Sequence, residues 1–349
     1  MAIALSVVDF LAASGPILDV RSPGEHGQGH IPGAIAFPLF SDAERTQVGI
    51  CYKQEGREAA VELGFAIAGA KFAGFLREAK ALAPQRQVRV HCWRGGMRSG
   101  AVAWVLELGG FDVSTLSGGY KAFRRWSLEA VNNPRPILVL GGMTGTQKTK
   151  ILHALADRGE QVIDLEGLAH HRGSSFGALM LPPQPSNEQF ENRVASQWAA
   201  FSPTRRVWIE AESRRIGLCC IPSALFTQME QAMVLEVVRP KAERLAFLVE
   251  LYAQAPVDAL VVATERIRKR LGGLRTQEAI ALLQQHRFTE AFDLLLAYYD
   301  QTYEYDLQRR PVLRQPIDMT GLTADQSATR LIETADALLP STPTAAMPL

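Results

Sequence analysis

The chain has 349 residues, 47% of them apolar and 21% charged, with a formal net charge of +1. That length allows two domains with separate cores, and the composition excludes a disordered or membrane-embedded class. No apolar run reaches the roughly 18–20 residues that span a bilayer and no secretory leader is legible, so a cytoplasmic protein with no membrane partner is expected. The four cysteines, Cys51, Cys92, Cys219 and Cys220, form no C-x-x-C pair and no zinc spacing, so they read as free thiols in a reducing compartment and no metal ligand set is assigned.

Residues 6–13 predict a short helix and residues 16–20 a strand. The Gly- and Pro-rich stretch that follows, Asp19-Val-Arg21-Ser-Pro-Gly-Glu25-His and Gly29-His-Ile-Pro-Gly-Ala34, reads as a loop with fixed turns. Residues 49–64 read as a polar turn running into an amphipathic packing helix. Alternation over 87–90 predicts a strand and 100–108 a helix. His91-Cys92-Trp93-Arg94-Gly95-Gly96-Met97-Arg98-Ser99 therefore forms a strand-to-helix turn. Loop amides, a helix start and Arg98 all favour negative charge there and lower a cysteine pKa, which makes Cys92 a candidate nucleophile. A buried structural cysteine is the alternative.

The Asp19-x-Arg21-Ser strand end, Gly29-His-Ile-Pro-Gly-Ala34, the cysteine loop and Gly118-Gly119-Tyr120 together resemble a rhodanese domain, covering about 1–132. Common sulfurtransferase loops place the arginine sixth when the cysteine is counted first; here Arg98 is seventh. Phosphatases that share the rhodanese fold use the longer loop to wrap a tetrahedral phosphate. Trp93, Arg94, Gly95, Gly96, Met97 and Arg98 are thus expected to cradle phosphate, thiophosphate or selenophosphate.

The turn-rich stretch 132–136 marks a boundary, and 133–339 reads as a second α/β domain with a helical extension, followed by a disordered tail at 340–349. A buried strand, Ile137–Gly141, leads through Gly142-Met-Thr144-Gly145-Thr-Gln147-Lys148-Thr149 into a helix over 150–156. This is the strand–loop–helix setting of a P-loop. Gly142, Thr144, Gly145, Lys148 and Thr149 are expected to hold a pyrophosphate, with room for Mg²⁺ on the Thr149 hydroxyl. Gln147 replaces the motif's second glycine, which puts nucleotide hydrolysis in doubt more than pyrophosphate binding.

Further candidates follow strand ends: Asp164 and Glu166 after 161–163, then His171, Arg172, Ser174 and Ser175, and Glu210, Glu212 and Arg214 after 207–209. Adjacent His170 and His171 are expected on an extended segment, facing opposite ways and serving as hydrogen-bonding groups. Beyond Lys241 the pattern is helical. Arg266, Arg268, Lys269, Arg270 and Arg275 form an RNA-facing surface or an ordinary charged helix, and smaller basic clusters occur at Lys121, Arg124 and Arg125 and at Arg309, Arg310 and Arg314. Tyr298, Tyr299, Tyr303 and Tyr305 are base-stacking candidates or a core edge.

The order of the two domains, with Asp164-Leu-Glu-Gly-Leu-Ala-His-His-Arg-Gly-Ser-Ser-Phe-Gly177, Glu212-Ser-Arg-Arg-Ile-Gly217 and Tyr298-Tyr-Asp300, resembles the tRNA 2-selenouridine synthases over nearly the whole chain. The resemblance implies replacement of sulfur by selenium at C2 of wobble 2-thiouridine (position 34), with selenophosphate as donor. It also implies S-geranylation from geranyl diphosphate as the intermediate step. Implied partners are tRNA bearing 2-thiouridine and an enzyme supplying selenophosphate, with no tightly bound cofactor. A cysteine-dependent phosphatase or sulfurtransferase with a phosphate-sensing P-loop domain is the competing reading.

Overall fold

The computed structural model describes residues 2–308 and 312–338, and the side chains of 302 and 304–308 lie outside that description. Arg309, Arg310, the Tyr305 side chain and the tail at 340–349 therefore fall outside the described residues. The chain divides into two compact units, Met1–Ala130 with Glu188–Ser196, and Val131–Asn187 with the described chain from Gln197 onward.

The first unit is built on five strands, β1 (Ile3–Leu5), β2 (Ile17–Asp19), β3 (Ile35–Ala36), β4 (Gln87–His91) and β5 (Asp112–Leu116). All pair in parallel, in the order β1-β5-β4-β2-β3. Central β4 buries Val88 and Val90 against Leu18, Val102 and Leu106, as a strand covered on both faces requires. The carboxyl end of such a sheet is where open α/β folds bind ligands, and Cys92 follows β4 there.

The polar turn expected over 49–56 is instead the end of a helix, Asp42–Gln54, opened by a capping box between Ser41 and Glu44. Gly56, at φ +94°, then turns the chain into the helix Arg57–Gly69. The middle of the helix Asn187–Ala200 belongs to this unit: Tyr120 Oη donates to Glu188 at 2.6 Å, and Arg124 holds Glu191 and Asn192, each at 2.6 Å. Arg124 is thus committed to a structural contact.

The second unit has β6 (Ile137–Gly141), β7 (Gln161–Ile163) and β8 (Val207–Glu210). They are followed by the small antiparallel pair β9 (Arg215–Ile216) and β10 (Cys219–Cys220), then β11 (Met233–Val238) and β12 (Arg314–Asp318). Its main sheet is parallel, in the order β12-β11-β6-β8-β7, with every residue of β6 buried. The helices Lys241–Tyr252, Val257–Arg266, Gly273–Gln284 and Phe288–Gln308 close on a core of their own around Tyr252, Leu260, Leu283 and Phe292. No single helix among the described residues is long and apolar enough to cross a membrane.

Candidate active sites

The cysteine loop is tighter than its sequence suggests. The helix after it spans Met97–Leu108, three residues earlier than expected, so the amides of the loop's second half already belong to a helix start. Cys92 is only 3% exposed. Its Sγ lies 3.2 Å from Ser99 Oγ and accepts the Gly96 N–H at 3.4 Å. Burial pushes the thiol pKa up, but Ser99 and the amides of Ser99, Gly96 and Arg94 outweigh it and hold the thiol below its ordinary value. Ser99 is a supporting residue that the sequence reading passed over.

The segment after β5 fixes this loop from outside. Tyr120 N–H donates to the Cys92 carbonyl at 2.9 Å and Lys121 N–H to that of Trp93 at 3.0 Å. Gly119, at φ +61°, lies so close that a Cβ there would meet the Cys92 carbonyl and the Gly95 amide at 2.4 Å. Arg98 does not stand free in the loop. It forms a two-point pair with Glu25, at 2.6 and 3.2 Å. Burial pushes the Glu25 carboxyl up, and Arg98 more than reverses that, holding it below its usual range. Trp93, Arg94 and Met97 are exposed. Behind the loop, burial drives His91 down to about 4, so its ring is neutral at pH 7. The buried Asp19–Arg21 pair, with Arg21 also donating to the Gly29 carbonyl at 2.7 Å, braces the strand end.

The second loop follows β6. Its helix runs Lys148–Asp157, beginning two residues earlier than expected, with Gln147 as the capping residue. Gln147 sits in the left-handed region at φ +65°, the conformation that the motif's glycine normally supplies. Lys148 Nζ donates to the Gly142 carbonyl at 2.7 Å, drawn back across its own loop. The Gly142 amide is taken by Tyr303 Oη at 2.6 Å. Gly145 packs on Arg244, a buried residue that reaches the Thr144 carbonyl at 3.2 Å and pairs with Asp300 at 2.7 and 2.8 Å. Arg244 and Tyr303 thus brace the loop from a hundred or more residues away.

Carboxylates gather behind Lys148. Thr149 Oγ1 donates to Glu166 Oε2 at 3.1 Å, and the Glu166 amide donates to Glu210 Oε1 at 2.7 Å. Glu166 and Glu212 share a hydrogen bond, and Gly173 lies against the Glu212 carboxylate. Burial, reinforced by mutual repulsion, raises Glu166 and Glu210 and pushes Glu212 up to about 8. At neutral pH Glu212 therefore holds a proton that an isolated carboxylate would have lost. Glu210 Oε2 is buried without a partner among the described residues, as a protonated or ligand-awaiting oxygen would be. No group of three or more His, Cys, Asp or Glu among the described residues is arranged to hold a metal ion, and the Thr149 hydroxyl is engaged by Glu166.

Family models match both halves of the chain: a rhodanese-like domain over residues 6–125 and a tRNA 2-selenouridine synthase AAA domain over residues 135–321. A tRNA 2-selenouridine synthase of Marinobacter nauticus is 36% identical over 84% of this chain and 89% of its own length. Those of Shewanella piezotolerans and Alcanivorax borkumensis are each 35% identical, over 86% and 84% of this chain and 91% and 90% of their own lengths. The chain belongs to the tRNA 2-selenouridine synthase family.

Within this family member, the remaining candidates divide. Asp164 caps a short helix, Leu165–Ala169, and pairs with His153 at 2.7 Å, so it is taken up structurally. His170 ends that helix in a left-handed turn at φ +51°, not on an extended segment, so the expected alternation with His171 does not hold. His171 is half-buried and lowered by burial and by Arg266. Arg172 donates to the Leu179 carbonyl, Ser174 Oγ accepts the Phe176 amide, and Ser175 donates to the Ala263 carbonyl, so these three shape the loop 171–177. Arg214 turns to Ser223 at 2.7 Å.

Arg266, Arg268, Lys269, Arg270 and Arg275 are all exposed at the ends of three successive helices, Val257–Arg266, Arg268–Leu271 and Gly273–Gln284. Arg268 lies 3.4 Å from Glu265 and Arg270 meets the Tyr298 hydroxyl. Tyr298 and Tyr299 pack into the helical core, which corrects the base-stacking expectation for both: a ring filling a core offers no free face. Arg314 stands beside Glu236.

Proposed function

We propose that the chain is a tRNA-modifying enzyme that replaces sulfur by selenium at C2 of wobble 2-thiouridine and divides the work between its two loops. Geranyl diphosphate is held at the Lys148 loop, where amides and the lysine stabilise the departing diphosphate while the tRNA sulfur takes the geranyl group. S-alkylation turns a poor leaving sulfur into a good one. Selenophosphate is used at the Cys92 loop, where Cys92 acts as nucleophile at phosphorus: the S–P bond forms, the Se–P bond breaks with selenium leaving at the selenide level for C2, and water then frees the phosphate from the cysteine. Exposed Arg266, Lys269 and Arg275 supply phosphate contacts to tRNA, and another enzyme supplies selenophosphate.

The observation that carries this reading is the thiol held below its ordinary pKa by Ser99 and the loop amides, on the same chain as a lysine-bearing phosphate loop. The test is mass spectrometry of nucleosides from 2-thiouridine tRNA incubated with geranyl diphosphate and selenophosphate. Geranylated and then selenium-bearing nucleosides are expected. Turnover of p-nitrophenyl phosphate or thiosulfate with unchanged tRNA would support the phosphatase or sulfurtransferase reading instead.

A further inference from the structure

A cavity of about 980 Å³ in the first unit opens beside the cysteine loop, and the proposed function assigns it no task. Its walls are the helices Asp42–Gln54 and Arg57–Gly69 and the first turns of Met97–Leu108, the helix whose start holds the cysteine loop. The lining is mainly apolar. Phe40 and Ala60 form buried parts of it, while Phe65, Met97 and Trp104 are each more than half exposed, at 52%, 52% and 54%. Large apolar side chains gathered at one mouth and left facing water mark a surface that a ligand covers.

The charge at this mouth narrows the choice. Arg45, Lys53, Arg57 and Arg98 also line the cavity. Arg98 is neutralised by Glu25, and Arg45 stands 3.8 Å from the same carboxylate. Lys53 and Arg57 have no ion-pair partner among the described residues. An apolar trough edged by uncompensated cations fits an apolar chain attached to an anion. A purely apolar partner surface would leave those cations to be desolvated without return.

We infer that this trough is a subsite for the apolar chain of an S-alkylated tRNA base, with Lys53 and Arg57 meeting its phosphates. The inference rests on the proposed function and deepens it. In the second half-reaction the base carries its geranyl group to the Cys92 loop. There the C2–Se bond forms and the C2–S bond breaks. The electron pair leaves with sulfur as geranylthiolate, which takes up a proton, and selenophosphate gives its selenium and, with water, leaves as phosphate. A chain anchored in the trough turns C2 toward the loop and binds the leaving group as it departs.

The test uses the full-length protein with two single variants at exposed or half-exposed wall positions, Phe65→Asp and Ala101→Phe. One charges the trough and the other fills it. With tRNA already carrying S-geranyl-2-thiouridine, each should raise KM for selenation by about tenfold or more while changing kcat little. Selenation of S-methyl-2-thiouridine tRNA, and geranylation of 2-thiouridine tRNA, should match the unaltered protein. Loss of geranylation in parallel would assign the trough to the diphosphate donor and overturn the inference, as would unchanged KM in both variants.

A binding readout separates this result from failure of the proposed function. S-geranyl-2-thiouridine nucleoside should quench tryptophan fluorescence at a concentration about tenfold lower than the S-methyl nucleoside, a preference that Phe65→Asp removes. If the unaltered protein selenates no tRNA but shows that preference, the functional reading fails and the subsite stands. If it is active but shows none, the subsite fails.

Discussion

The two loops are the same device used in opposite senses. Each follows a central parallel strand, β4 or β6, and each runs into a helix whose first amides converge on the loop. At the first loop the chain supplies its own acceptor: Cys92 takes up the Gly96 amide and lies against Ser99, and its pKa is held below the ordinary value. At the second, the lysine crosses to a carbonyl, and burial, with repulsion from neighbouring acids behind it, raises the pKa values of the carboxylates. Burial alone therefore does not decide protonation. What decides it is whether enough donors surround the buried group to offset its burial.

The largest expected effect comes from removing the charge that defines the second loop. Lys148→Ala should lower geranylation about a hundredfold, read from the yield of geranylated nucleoside, because a lost donor to developing negative charge costs that much. A drop of less than threefold would show that the amides suffice without it.

Glu212→Gln sharpens the contrast through pH. The Glu212 carboxyl is raised in the folded protein to about 8 from an ordinary value of 4.5, so the folded state binds the extra proton between those values. Stability is thus full below about pH 4.5 as far as this group is concerned and is lost as pH rises toward 8. Each unit of difference is worth about 1.4 kcal/mol, so the amide, which cannot ionise, should flatten the fall in Tm between about pH 4.5 and 8. Parallel Tm curves for the two proteins would contradict the raised value.

Glu25→Gln tests how the first loop is aimed. The pair with Arg98 is partly exposed, so stability should fall by no more than about 1 kcal/mol. Selenation should nonetheless fall severalfold, because Arg98 is then no longer held in place, and unchanged activity would show that the pair only braces the helix. The smallest effect belongs to Gln147→Gly. Relief of a left-handed non-glycine residue is worth about 1 kcal/mol, so Tm should rise by roughly 2–4 °C with geranylation retained.

The loops themselves were legible because their chemistry is local. A strand, a glycine-containing turn, a Cys or Lys and a helix lie within about a dozen residues, and the α/β reading came through the rhodanese resemblance for the first half and the strand–loop–helix setting of the P-loop for the second. What escaped lies far apart in sequence. Glu25 meets Arg98 across 73 residues, Arg244 reaches Thr144 across 100, and Tyr303 reaches Gly142 across 161. Nothing in a window around either partner announces such pairings. The trough beside Cys92 escaped because the stretch 49–64 reads as an ordinary packing helix, and its exposed apolar face emerges only once the helix Met97–Leu108 is set against it. One local signal is present there: Ser41 followed three residues later by Glu44, the capping box that starts the helix Asp42–Gln54.

The central claim is that the two half-reactions belong to different loops, and tRNA supplied already geranylated tests it most directly. Incubated with selenophosphate alone, Lys148→Ala protein should convert this tRNA to the 2-selenouridine form at a rate close to that of the unaltered protein, while Cys92→Ser should convert none. If Lys148→Ala fails on the geranylated tRNA, or Cys92→Ser succeeds, the division of labour between the loops is wrong.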